Sequence, residues 1–182
     1  MKREDIQKMA RDIIESGAVE SDYIEYKKSA SGRDTILKTA CAFCNNYMNR
    51  EIGLIFIGVE EVDDKENGIK AVPKRPISGV DDEKIESTEN SIKSLLSNIT
   101  PVPKYHLLQD EIDGRTYIII AVEPGNDGPP FRDPLSPKGV SLVLWRKVYA
   151  KSSVQIEQRK PDEWLTPQGG KGMRKGEREG RT

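Results

Sequence analysis

Two groups of side chains in this chain have the types and spacing to do chemistry: carboxylates gathered at the end of an apolar run, and basic residues gathered before and well after it. The run Gly53-Leu-Ile-Phe-Ile-Gly-Val-Glu-Glu61 delivers Glu60, Glu61, Asp63 and Asp64 at its end. The crevice outside the carboxyl end of such a strand is where α/β folds bind ligands. Asn45 and Asn46, just upstream, carry amides unsuited to a core. Either they tie the turn into the strand together, or Asn45 faces that crevice beside Glu60 in a nucleotide site near the loop at 124–137. Lys27, Lys28, Arg33, Lys38 and Arg50 form one basic group, and Arg146, Lys147 and Lys151 a second. If the two share a surface they can neutralise several phosphates; scattered over the molecule, they only solubilise it. Trp145 and Tyr149 offer faces on which bases stack, or equally serve sheet packing.

These groups need elements to position them. Ile6, Met9, Ile13 and Ile14 recur at helical spacing over residues 4–16, with Gly17 where a cap belongs. Residues 19–27 predict a strand around Tyr23, Ile24 and Tyr26. Ile36, Leu37, Ala40, Cys41, Cys44, Tyr47 and Met48 predict a second helix of about four turns. Residues 54–59 form a continuous apolar strand, covered on both faces. An exposed acidic turn follows, with a short pairing strand at 69–72. Asp81 and Asp82 can cap a third helix carrying Ile85, Ile92, Leu95, Leu96 and Ile99. Residues 104–112 and 115–122, around Asp113-Gly114, give a hairpin signal. The Pro- and Gly-rich loop at 124–137 is long enough to cover or line a site, and residues 141–149 predict a further strand. The order describes an α+β domain with a mixed, mainly antiparallel sheet and about three packed helices.

Composition narrows the function. With 29 basic and 30 acidic residues, no global basic field marks the chain as a nucleic-acid binder. No apolar run is long enough to cross a membrane, and the polar start Met-Lys-Arg-Glu-Asp is unlike a signal peptide, so a cytoplasmic protein is expected. Cys41 and Cys44 lie one helical turn apart among apolar neighbours and behave as core thiols. A zinc site needs four ligands, and His106 is the only histidine. Gly169-Gly-Lys-Gly172 lacks the hydroxyl and the preceding strand of a P-loop.

The segments Glu20-Ser-Asp-Tyr-Ile-Glu-Tyr-Lys27, Ala40 to Asn46 and Ile55-Phe-Ile-Gly-Val59, together with the hairpin, resemble the Schlafen-type AlbA domain over residues 18–157. The chain looks most like the branch described as RecG-helicase-related proteins or transcriptional regulators. Outside that span, residues 1–17 hold the N-terminal helix already read from its spacing, and beyond about Trp164 the chain turns to Gly, Lys, Arg and Glu without periodicity, so residues 158–182 read as a disordered linker or appended end. Two stretches depart from the family pattern: Arg50-Glu-Ile52 is poor in glycine, and Ala150-Lys-Ser-Ser153 stands where Arg-x-Gly-Ser is common.

The resemblance implies binding of DNA or RNA and a C-terminal winged-helix region behind this module; ATP enters only as a family label. A homodimer is expected as well, because it would join two basic faces. In nuclease members, carboxylates hold a divalent metal for RNA cleavage. Glu20 and Glu25 match that pair by spacing, with Asp63 or Asp64, or Glu60, as the third ligand for Mg²⁺ or Mn²⁺. Five residues apart on an ideal strand, the two glutamates point to opposite faces. They converge only if Glu20 precedes the strand or a bulge intervenes. Otherwise they are solvated charges or partners of Lys27 and Arg33.

Overall fold

In the computed structural model, which describes residues 1–46, 51–125 and 131–134, the apolar runs become the inner strands of a sheet. The order is α1 (Arg3–Glu15), β1 (Ile24–Lys27), α2 (Arg33–Cys44), β2 (Gly53–Ile57), β3 (Glu61–Asp64), β4 (Ile69–Pro73), α3 (Asp82–Leu96), β5 (Tyr105–Ile112) and β6 (Arg115–Val122). A four-stranded sheet runs β1-β2-β6-β5, and β3 and β4 form a separate two-stranded ribbon. Only the β1–β2 pair is parallel in the larger sheet; β2–β6 and β5–β6 are antiparallel. The architecture is the α+β arrangement expected, with three helices among the described residues.

Alternation along the strands makes the layers. Leu54, Phe56, Ile119 and Ala121 pack with Ile6, Ala10 and Ile14 of α1. Ile55, Ile57, Ile118 and Ile120 pack with α2 and α3 through Leu37, Cys41, Ile92 and Leu96. A strand buried on both faces must be apolar at every position, and all five residues of β2 are buried. The hairpin behaves as its Asp-Gly turn demands, with positive φ at both Asp113 (56°) and Gly114 (70°). Arg75 grips the Asp113 carboxylate through two nitrogens and Arg115 donates to the Ile77 carbonyl at 2.8 Å, so the turn is locked to the segment after β4.

Three expectations need correction. The first strand begins at Ile24, not at residue 19, because Glu20 turns aside: its N–H donates to the Ala71 carbonyl of β4 at 2.9 Å. The second helix ends at Cys44, about a turn early, where the Cys44 carbonyl accepts the Gly125 N–H at 2.7 Å. Tyr47 and Met48, through which it was expected to continue, lie outside the described residues. The acidic turn after β2 contains a strand, β3, whose charged residues lie on an exposed ribbon with little burial to mark it. The strand expected at 141–149 and the tail from Trp164 lie outside the described residues.

Candidate functional site

The carboxyl end of the parallel β1–β2 pair is held by backbone bonds before any side chain is considered. The Lys27 carbonyl accepts from Gly58 N at 2.9 Å and Val59 N at 3.2 Å, and the Glu60 carbonyl accepts from Lys74 N at 2.8 Å. Gly58, at φ +96°, lets the segment at Gly79 close over the strand end, where its carbonyl accepts the Gly79 N–H at 2.8 Å. On this frame the Glu60 carboxylate bridges two ammonium groups, Lys28 Nζ to Oε1 at 3.3 Å and Lys74 Nζ to Oε2 at 3.3 Å. Both lysines are largely exposed. The Lys28 bond, then the Lys74 bond, hold the Glu60 carboxyl below the ordinary carboxylate value. Beyond Lys28, the Ser29 and Ser31 hydroxyls pair at 2.7 Å and α2 opens with an exposed Arg33; Lys38 lies further along α2, half-buried.

The other expected residues separate by role. Lys27 turns inward, with Nζ 2.6 Å from the buried Glu25 carboxylate and donating to the Tyr26 carbonyl at 2.9 Å. Glu20 does precede its strand, and its Oε1 accepts the Tyr26 N–H at 2.9 Å, which satisfies that backbone donor of β1. Asp63 accepts the Ala71 N–H at 3.3 Å, and Asp64 organises the ribbon turn through Asn67. Among the described residues no cluster of three or more His, Cys, Asp or Glu is arranged to hold a metal ion.

Asn45 and Glu60 lie beyond opposite ends of β2, a five-residue strand spanning roughly 17 Å at about 3.3 Å per residue. The Asn45 amide instead clasps the Phe131 backbone, accepting its N–H at 2.8 Å and donating to its carbonyl at 2.9 Å, while Asn46 reaches the Asp22 carbonyl at 3.4 Å. Cys41 and Cys44 are core thiols, pushed up to about 11 and about 12 by burial. Arg50, Trp145, Arg146, Lys147, Tyr149 and Lys151 lie outside the described residues. Lys74 was missed by the sequence reading because its partner is distant and its neighbourhood is rich in both charges; only the proline-flanked end of the ribbon hinted that it folds back to Glu60.

Residues 20–158 match the family described as Schlafen, AlbA_2, which is most of the chain. The chain belongs to this family. The Schlafen AlbA_2 fold is also seen in the solution structure of the N-terminal domain of a RecG-related protein from Nitrosomonas europaea, at 19% identity and a TM-score of 0.51, covering 66% of this chain and 83% of that one. A crystal structure of a Corynebacterium diphtheriae protein aligns at 14% identity and a TM-score of 0.38, over 72% of this chain and 24% of that one. No curated protein sequence matches the chain. Among the described residues of this Schlafen AlbA_2 domain, no helix is long and apolar enough to cross a membrane.

Proposed function

We propose that this Schlafen AlbA_2 domain is a nucleic-acid-binding module of a transcriptional regulator, taking the phosphate backbone on basic side chains without a cofactor. The observation that carries the reading is the placing of exposed Lys28 and Lys74 on a hydrogen-bonded frame at the carboxyl end of β1 and β2, with exposed Arg33 across the short loop from Lys28. Ammonium and guanidinium groups at such a place attract DNA or RNA phosphates without reading their sequence. Lys38, Arg146, Lys147 and Lys151 extend the same proposal, and a homodimer would join two such faces.

Replacing Lys28 and Arg33 together by alanine is expected to weaken binding of a labelled oligonucleotide roughly tenfold or more, about 1.4 kcal/mol. It should also flatten the dependence of log K on log salt by about 0.7–0.9 for each phosphate that is no longer neutralised. Fluorescence anisotropy across a salt series measures both. Salt-independent binding, or none at low salt, would refute the proposal. Incubation of the intact protein with labelled RNA and Mn²⁺ separates binding from cleavage: retained, uncut RNA is expected. Metal-dependent fragments abolished by Glu25→Gln would instead establish the metal-dependent endoribonuclease built on Glu20, Glu25 and Asp63.

A further inference from the structure

The Lys28–Glu60–Lys74 bridge has a charge arithmetic that differs from that of an open basic patch. Two ammonium groups converge on one carboxylate, each from a residue whose neighbouring backbone is pinned: the Lys27 carbonyl to Gly58 and Val59, and the Lys74 N–H to the Glu60 carbonyl. A carboxylate and a phosphodiester present the same feature to such a pair, two anionic oxygens able to accept from separate donors. Glu60 is about a third exposed, so an incoming oxygen can reach both lysines from solvent. With Glu60 in place the group carries a net charge of one positive unit; without it, two. The Glu60 carboxyl is held below its ordinary value by the lysines, so it remains ionised at neutral pH.

We infer that Glu60 is an internal phosphate mimic that holds Lys28 and Lys74 as a ready-made pair and competes with the nucleic-acid phosphodiester for them. The inference rests on the nucleic-acid reading above and adds to it a residue that sets affinity and salt response without itself touching a base. Glu60 weakens binding, because the phosphate must share or displace it, while it keeps two like charges at one spot in the unbound protein. The consequence is a domain that releases nucleic acid at a lower salt concentration than a bare lysine pair would.

The test is a salt series with a labelled duplex and a labelled single strand, on the full chain, comparing the wild type with Glu60→Gln and Glu60→Ala. Both variants are expected to bind roughly fivefold more tightly near physiological salt. Adding Lys74→Ala to Glu60→Gln should return affinity to the wild-type level or below, which a purely structural role for Glu60 would not do. Thermal melting of each variant checks that it is folded. If the wild type binds and both Glu60 variants bind equally or more weakly, the mimic is overturned while the nucleic-acid reading stands. If no protein in the set binds either probe at low salt, the nucleic-acid reading falls and the mimic with it.

Discussion

Phe56→Ala is expected to lower folding stability by about 3–5 kcal/mol, at the upper end of what a single truncation in a core costs. Phe56 lies on the central strand β2, between β1 and β6, and is fully buried on the face covered by α1. Its ring sits between Tyr26, with centroids 5.3 Å apart, and Tyr117, at 6.3 Å, both pairs tilted. Truncation removes the ring's burial and both aromatic contacts, each worth about 0.5–1.5 kcal/mol beyond area. The cavity will not collapse easily, because its two aromatic walls are tethered. The Tyr26 hydroxyl donates to the Ala18 carbonyl at 2.7 Å and the Tyr117 hydroxyl to Asp110 at 3.2 Å. Asp110 is itself held by Arg11 of α1. Since domains of this size are stable by only about 5–15 kcal/mol, the variant should unfold at a much lower urea concentration with an unchanged m-value. A loss under about 1 kcal/mol would show that the aromatic layer relaxes around the gap.

The same strand shows why much of the fold was legible in the sequence. Leu54 to Ile57 has no polar residue, and so short an apolar run bounded by Gly53 and by Glu60 and Glu61 fits a strand covered on both faces. Asp113-Gly114 announced its turn because both positions need positive φ, which few residue pairs tolerate. Where the sequence reading failed, the deciding contact joined residues far apart in the chain. Nothing local indicates that Glu20 will leave the strand to bond Ala71, or that Cys44 will hand its carbonyl to Gly125 and end its helix early. The candidate site divided in the same way. Lys28 and Glu60 could be placed at the end of a strand from apolar pattern alone. Lys27 and Glu25, two residues apart on one strand, share a face, and their pairing was among the expectations. That Lys74 would complete the bridge depends on the ribbon folding back, which periodicity does not carry.

Asn45→Asp changes no volume, yet it is expected to cost about 3 kcal/mol at neutral pH, somewhat more than Asn45→Ala at about 2–3 kcal/mol. The Asn45 amide makes the two bonds a strand partner would make, donating to the Phe131 carbonyl at 2.9 Å and accepting its N–H at 2.8 Å. Phe131 packs against the core shared by α2 and α3, and the next residue, Arg132, exchanges two backbone bonds with Thr100 at 2.8 and 2.9 Å. Asn45 is therefore the point at which the end of α2 fastens this segment. Alanine leaves the Phe131 N–H and carbonyl without that partner. Aspartate keeps the acceptor but sets a charged oxygen against the carbonyl where a donor stood, in a half-buried place. That placement raises the new carboxyl's folded pKa above its unfolded value, because the protonated form can still donate. The sign follows: the deficit of Asn45→Asp is fully present above the folded pKa, and shrinks as pH falls through it toward the unfolded value near about 4. The Asn45→Ala deficit has no such titration. Urea unfolding of both variants at neutral pH and near pH 4 distinguishes them, and hydrogen exchange at the Phe131 amide reports the local opening. Equal deficits at both pH values would mean that the Asn45 amide donor contributes nothing and that shape alone holds Phe131.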